Sequence, residues 1–161
     1  MEALLESASD PFQRDHFAPG HFTASAFVLD PEGERLLLIL HGKLGLWLQP
    51  GGHWDPEDGS LQAAARREVH EETGLGPADL EPGAPLLDVD VHRIPPNPRK
   101  GEPEHRHYDL RVLLRARSTA IQAASDARDA RWVPLAQVHA QATDASVRRA
   151  VERVLALREG A

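Results

Sequence analysis

The spacing of apolar residues changes along the chain between patterns typical of strands and patterns typical of helices. Residues 21–30 are rich in apolar, β-compatible side chains, and residues 34–41 contain a continuous apolar run of strand length. Asp, Pro and Gly between them indicate a turn, so the two segments predict a hairpin whose second strand is buried on both faces. Three later segments also predict strands: 84–94, 106–117 and the short 131–135.

One segment in the middle of the chain has the signals of a complete helix. Residues 61–73 are strong helix formers, Ser60 suits an N-cap, and Gly74 lies where a terminating glycine belongs. Weaker signals predict a short helix over 1–10 and an amphipathic helix over about 143–157. The order of strands and helices predicts one α/β domain over all 161 residues, with a mixed sheet covered by helices on both faces.

Composition and charge narrow the classes of function. Hydrophobic residues make up 41% of the chain and charged residues 27%, as in soluble globular proteins, and the formal net charge is −7. A protein of that charge repels a phosphate backbone, which argues against long nucleic acid as a partner. The chain has no cysteine, no apolar run of membrane-spanning length and no signal-peptide pattern at its start. We therefore predict a cytoplasmic protein without disulfides, thiolate metal sites or a membrane partner.

Three glutamates near the end of the central helix are placed unusually for a solvated surface. On a helical wheel Glu68 and Glu72 nearly superimpose, and Glu71 lies within about a quarter turn of them. They continue the stripe of Leu61 and Ala65 that should face the core, and they lie at the helix end where the dipole disfavours anions. A divalent cation would compensate their repulsion. Because all the ligands are oxygen atoms, Mg²⁺ or Mn²⁺ is favoured over metals that prefer nitrogen or sulfur.

The end of this helix and the turn after it contain a contiguous motif, Arg67, Glu68, Val69, Glu71, Glu72, Gly74 and Leu75, which resembles the signature of the Nudix hydrolases. Before the helix the loop is one residue longer than the signature, so the expected glutamate falls at Asp58 counted from Gly52 and at Gly59 counted from the helix. Our hypothesis is that Asp58 replaces this glutamate, which in the family generally supports the loop and the arginine. From Arg67 onward every constrained position of the signature is present.

The resemblance, which covers roughly residues 21–135, carries expectations for fold, activity and site. It implies an α/β/α sandwich around a mixed β-sheet, and hydrolysis of a nucleoside diphosphate linked to another group with Mg²⁺ or Mn²⁺ required. Glu68 and Glu72 are then the strongest metal ligands, with Glu71 as a third ligand or a base. The backbone carbonyl of Gly51 is a further candidate ligand, and Arg67 would orient the carboxylates. Which glutamate acts as the general base stays open.

Candidates for substrate contact lie in the loops around this segment. The proline-rich loop 94–105 is long enough to suggest a functional role. Trp54 could stack on a base or belong to the core. Basic residues near the loop could receive an outer phosphate or simply be solvated: Arg99, Lys100, Arg106 and Arg111. Asp126 and Asp129 could supply a carboxylate from across the site or be ordinary surface residues.

Histidines recur around the same loops. His105 and His107 would share one face of a strand, with Arg106 on the other. Three roles stay open for this group, namely substrate contact, simple loop polarity and ligation of a metal through nitrogen, and we take His107 as a candidate for substrate binding. The histidines concerned are His41, His53, His92, His105 and His107.

Other functions remain to be weighed against a pyrophosphohydrolase. A catalytically weak Nudix-like module that binds a nucleotide and regulates a partner would have no evident need for all three glutamates. An isoprenyl diphosphate isomerase shares the fold class, but in that family a cysteine takes part in the proton transfers. The net charge argues against an RNA-end hydrolase. The predicted partner is therefore a small nucleoside diphosphate derivative, while the substrate itself and a homodimeric state stay open.

Overall fold

A mixed β-sheet carries the fold, with one long helix against each of its faces. The computed structural model describes residues 2–5, 10–125 and 127–159. Within them the strands are β1 (His21–Leu29), β2 (Arg35–His41), β3 (Trp47–Leu48), β4 (Gly51–His53), β5 (Leu86–Ile94), β6 (His105–Arg115) and β7 (Ala127–Pro134). The helices are α1 (Glu2–Leu5), α2 (Leu61–Thr73) and α3 (Ala145–Glu159), with 3₁₀ turns at Pro77–Asp79, Pro98–Lys100 and Leu135–Ala140.

Strand β1 lies at the centre of the sheet, whose order is β3-β2-β1-β6-β5 with β7 beside β2. It pairs in parallel with β6 along its whole length, from His21 opposite His107 to Leu29 opposite Arg115. On its other side it pairs antiparallel with β2 near Leu29 and with β4 near its start. The predicted hairpin is therefore confirmed at its turn, but β1 then diverges from β2 and pairs with β4. Every residue of β1 is buried.

Alternate residues of the central strands face opposite helices. The core under α2 includes Ala24, Ala26, Val28, Ala65 and Val69. The core under α3 includes Phe27, Leu29, Val147, Val151 and Val154. These two apolar layers confirm the prediction of a mixed sheet covered by helices on both faces.

The predicted central helix is confirmed residue for residue as α2. The Ser60 hydroxyl accepts a hydrogen bond from the Ala63 N–H at 3.2 Å. Gly74 ends the helix in the left-handed region, with a φ of +76°. Both ends are therefore determined by residues adjacent in sequence, which is why they could be predicted without knowledge of the tertiary structure.

Other predicted elements shift at their ends. Helix α3 begins and ends two residues later than predicted. Strand β7 begins at Ala127, four residues before the predicted strand, because β2 extends to His41 and offers it a partner. At the N-terminus Glu2–Leu5 is helical, Asp10 is not, and residues 1 and 6–9 of the predicted helix lie outside the described residues. No helix in the described part of the chain has the length and apolarity needed to cross a membrane.

Candidate active site

Strand β4 lies directly against the glutamates of α2. The Gly51 N–H donates a hydrogen bond to Glu72 Oε2 at 3.0 Å, and Glu72 is only 4% exposed. A Cβ at Gly52 would lie 2.6–2.8 Å from the carboxylate atoms of Glu68, and one at Gly51 would lie 2.2 Å from the Cβ of Ser25. Gly51 therefore requires glycine, because a side chain would displace the neighbouring strand, whereas a side chain at Gly52 would displace the Glu68 carboxylate. The role of the Gly51 carbonyl as a metal ligand stays a prediction.

Burial changes the chemistry of Glu68. Its side chain is 12% exposed, and burial raises its pKa to about 7 although the Arg67 guanidinium lies beside it. The more exposed Glu71 adds a nearby negative charge that also raises this pKa. Carboxylate oxygens that are buried with too little positive charge are suited to a hard divalent cation, so the donor set fits Mg²⁺ or Mn²⁺.

Arg67 joins the loop before α2, strand β4 and the glutamates. Its Nε and Nη2 donate to the two carboxylate oxygens of Asp58 at 2.9 and 3.0 Å, and Nη2 also donates to the His53 carbonyl at 2.8 Å. Its Nη1 lies 3.0 Å from Glu68 Oε1 and 3.3 Å from Glu71 Oε1. The hydrogen bonds to Asp58, reinforced by the glutamates, hold the pKa of Arg67 above its usual range. This is the arrangement that the predicted orienting role requires.

The longer loop still delivers a carboxylate to Arg67. The Asp58 side chain is 5% exposed and accepts a further hydrogen bond from the Asp55 N–H at 2.8 Å. The next residue, Gly59, has a φ of +63°, where glycine is favoured, and a Cβ there would meet open space. The contact that our Asp58 hypothesis needs is therefore present.

The variant Asp58→Asn should lower the free energy of unfolding by about 1–2 kcal/mol, since it removes the charge that Arg67 pairs with in a partly buried site. Burial of the Asp58 carboxyl opposes ionisation, but the hydrogen bonds from Arg67 and from the Asp55 N–H, together with the charge of Arg67, outweigh it and lower its pKa. The difference in the free energy of unfolding between the wild type and Asp58→Asn should thus be present above about pH 4, and it should decrease as the pH falls through the lowered pKa of Asp58. Urea unfolding followed by circular dichroism at several pH values, with a chelator present, measures it.

The matched control is Asp55→Asn. Asp55 lies 3.4 Å from Arg67 Nε, but its side chain is 54% exposed, so the expected loss is below about 1 kcal/mol. Equal losses in the two variants would contradict the role assigned to Asp58.

The residues predicted to contact substrate do not form one cluster. The Trp54 ring packs on Phe12 with 4.6 Å between ring centroids and borders a surface pocket near the N-terminal segment. Arg99 is exposed on the 3₁₀ turn of the long loop. Arg106 is exposed on β6, and strand alternation turns it to the face opposite His107. Substrate contact by Trp54, Arg99, Arg106 and His107 stays a prediction.

The structure corrects the interpretation of Arg111 as a candidate for phosphate binding. Its side chain is 3% exposed, its Nε donates to Asp109 Oδ2 at 2.8 Å, and its Nη2 donates to Ser146 Oγ at 2.9 Å. Its guanidinium also lies 3.4 Å from Asp90 and 3.7 Å from Asp88. Alternation along β6 turns Arg111 towards α3, so it is not available to a substrate. The D-x-D pattern of β5 beside D-x-R in β6 was the sequence signal for this buried charge network.

Of the two aspartates predicted as a source of a further carboxylate, only Asp129 lies within the described residues. Asp126 lies outside the described residues. Asp129 is exposed on β7, where its carboxylate accepts a hydrogen bond from the Ala130 N–H at 2.8 Å. This position does not decide whether Asp129 supplies a carboxylate to the site or is an ordinary surface residue.

Five histidines meet on one face of the sheet. Neighbouring ring centroids are 4.6–5.5 Å apart, and the group consists of His21, His53, His92, His105 and His107. Burial lowers the pKa of His53 to about 4 and that of His107 to about 2, so both rings are neutral at pH 7. His21 was not among the predicted histidines, because its position opposite His107 depends on the pairing of β1 with β6.

Comparison with known proteins finds matches over most of the chain. A family model described as NUDIX domain matches residues 19–154. A probable DHNTP pyrophosphohydrolase of Lactococcus lactis subsp. cremoris (strain MG1363) is 34% identical over 111 residues, which cover 69% of this chain and 63% of that protein. The m7GpppN-mRNA hydrolase NUDT17 of Danio rerio is 31% identical over 133 residues, which cover 80% of this chain and 44% of that protein. The matches thus span less than two thirds of the length of either relative.

A solved structure extends the likeness to the fold. The MutT NUDIX hydrolase from Burkholderia pseudomallei superimposes with a TM-score of 0.64 at 26% identity, covering 83% of this chain and 96% of that chain. The predicted α/β/α sandwich around a mixed β-sheet is therefore confirmed.

Proposed function

The chain belongs to the Nudix family, as the signature in α2 predicted, and we propose that it is a divalent-metal-dependent hydrolase of phosphoric anhydrides. The substrate would be a nucleoside diphosphate linked to another group, such as a nucleotide, a nucleotide sugar, ADP-ribose or a dinucleoside polyphosphate. Two relatives are named as a pyrophosphohydrolase and as a hydrolase of m7GpppN-mRNA, which supports hydrolysis as the reaction. A cytoplasmic location, a single domain and a homodimer stay predictions.

The observation that carries this proposal is a pair of carboxylates, the partly buried Glu68 and the buried Glu72, held against the two glycines of β4. Together with Glu71 and the Gly51 carbonyl, they would hold Mg²⁺ or Mn²⁺. The bound ion would supply the positive charge that neutralises the pyrophosphate oxygens. A protein that only packed this helix against the sheet would gain nothing from burying two carboxylates there.

The remaining roles follow from burial and charge. Glu68, whose burial already disfavours its charge, is proposed mainly as a metal ligand, and whether it also acts as the general base stays open. Glu71 is 45% exposed and is the other candidate base, since an incoming water can reach it directly. Arg67 is paired with Asp58 and the glutamates, so its proposed role is to position carboxylates. Trp54, Arg99 and Arg106 are proposed to contact the parts of the substrate beyond the pyrophosphate. Substrate contact by His107 stays a prediction outside this proposal, because alternation along β6 turns its side chain to the face opposite Arg106.

The test is a panel of nucleotide substrates incubated with Mg²⁺, with Mn²⁺ or with a chelator. The panel should contain ADP-ribose, a dinucleoside polyphosphate, nucleoside triphosphates and a nucleotide sugar. We expect metal-dependent turnover of at least one class, with loss of turnover in the chelator. Running the reaction in ¹⁸O-labelled water, with mass spectrometry of the products, identifies the phosphorus atom attacked and hence the bond cleaved.

The same panel distinguishes the proposal from its alternative. Tight nucleotide binding with no turnover of any class would favour the catalytically weak regulatory module instead. Turnover that persists in the chelator would contradict the metal-dependent chemistry while leaving hydrolysis in place.

A further inference from the structure

Three of the clustered histidines bring nitrogen atoms together. One ring nitrogen from each of His21, His105 and His107 lies within 4.8 Å of the other two. Among the described residues, these three histidines are the group of potential metal ligands, counting histidine, aspartate and glutamate, whose ligand atoms lie this close together. The parallel pairing of β1 and β6 places His21 opposite His107, and His105 points to the same face. The cluster therefore rests on paired backbone rather than on a loop.

Hydrogen bonds to backbone carbonyls orient two of the rings. His21 Nδ1 lies 3.2 Å from the His16 carbonyl oxygen, and His105 Nδ1 lies 2.8 Å from the Pro103 carbonyl oxygen. Because a carbonyl only accepts, each Nδ1 carries a proton, and in the neutral ring the Nε2 then keeps its lone pair. Imidazoles that bind metals usually donate their other N–H in this way.

The Nε2 of His21 is the atom that points most directly to a binding site. His21 is 1% exposed, and within the described residues its Nε2 has no hydrogen-bond partner. The rings of His105 and His107 lie 5.1 and 4.6 Å away between centroids. A buried acceptor without a partner costs free energy, which binding of a cation at that lone pair would recover.

We propose that His21, His105 and His107 form a binding site for a first-row transition metal ion, with Zn²⁺ as the best match. Neutral imidazole nitrogens favour such ions over Mg²⁺, and Zn²⁺ accepts three histidines with a fourth, open position. Tetrahedral Zn–N bonds of about 2.0–2.1 Å place the nitrogens about 3.3 Å apart, so small side-chain rotations must draw them together. The fourth ligand is water or His53, whose ring centroid lies 5.2 Å from that of His21.

This site is distinct from the carboxylates of α2. Gly52 faces Glu68, whereas the next residue, His53, turns its ring towards the histidines on the opposite face of the sheet. The His53 carbonyl accepts a hydrogen bond from Arg67, so β4 lies between the two sites. A metal ion held by the histidines would tie the start of β1 to the start of β6, and its binding would stabilise the fold.

The test uses the full chain without an affinity tag, freed of metal by a chelator and then titrated with Zn²⁺ in the presence of excess Mg²⁺. Calorimetry should show one tightly bound Zn²⁺ and a rise in the thermal midpoint. His107→Gln should weaken the affinity for Zn²⁺ at least about tenfold and abolish the rise in the thermal midpoint, because substitutions at metal sites usually cost affinity of that order. His139→Gln, on an exposed residue of the last 3₁₀ turn, is the matched control and should change neither result.

Two further measurements keep the proposal open to refutation if His107→Gln folds poorly. X-ray absorption of the Zn²⁺-loaded wild type should show imidazole nitrogen ligands, and the double variant Glu68→Gln/Glu72→Gln should retain Zn²⁺ binding. Absence of Zn²⁺ binding to the wild type would overturn the proposal. So would an oxygen-only ligand shell, or binding that survives in His107→Gln and disappears in the double glutamate variant.

Discussion

The variant Arg111→Met is expected to lower the free energy of unfolding by about 3–5 kcal/mol, because it leaves buried carboxylates without their central cation. Asp109 would lose its ion pair at 2.8 Å while remaining only 7% exposed. The hydroxyls of Thr23 and Ser25 would still donate to Asp109, at 3.1 and 2.8 Å, but they carry no charge. Asp88, 1% exposed, would keep only two cations, Arg149 at 2.9 Å and Arg153 at 3.2 Å, whose side chains are 42% and 54% exposed.

The measurement for Arg111→Met is equilibrium unfolding in urea, compared with Arg153→Met. Arg153 also pairs with Asp88, at 3.2 Å, but its side chain is 54% exposed. The same change of residue type should therefore cost less than about 1 kcal/mol there. Similar losses at the two positions would show that the buried network around Arg111 does not stabilise the fold as we expect.

The variant Glu72→Gln is expected to reduce metal-dependent turnover at least about a hundredfold, which corresponds to about 2.7 kcal/mol of barrier. Glutamine has the same shape and can still accept the hydrogen bond from the Gly51 N–H, so the change removes mainly the negative charge. Loss of a charged ligand would weaken the binding of the metal ion, and it would also reduce the stabilisation that the bound ion gives to the developing charge on the phosphate. Steady-state kinetics over a range of Mg²⁺ concentrations separates these two effects.

The control for Glu72→Gln is Glu152→Gln on the exposed face of α3. Both variants change the net charge by one unit, and the control should retain wild-type turnover. Unfolding curves should show that Glu72→Gln is folded under assay conditions. If Glu72→Gln kept full turnover at every metal concentration, Glu72 could not be a ligand of the catalytic ion.

The local sequence was sufficient to predict an element wherever residues adjacent in the chain determine where it begins and ends. Helix α2 could be predicted to the residue because Ser60 and Gly74 satisfy its ends without help from other elements. The helical period also placed Glu68 and Glu72 on the buried side of α2, which the structure confirms as partly and fully buried positions. The start of β7 could not be predicted in this way, since it depends on the length of its partner β2.

The sequence by itself determined the family, the α/β class and the acidic helix, because these depend on periodicity, capping and a contiguous signature. Only the tertiary structure decided which distant residues meet. It turned Arg111 inward towards Asp109, brought Asp58 to Arg67 across the longer loop, and placed His21 opposite His107. The packing of α3 and the path of the loop before α2 set the first two contacts, and the register of β1 against β6 sets the third. A single sequence does not specify that register, because many pairings would satisfy the same alternation of apolar and polar residues.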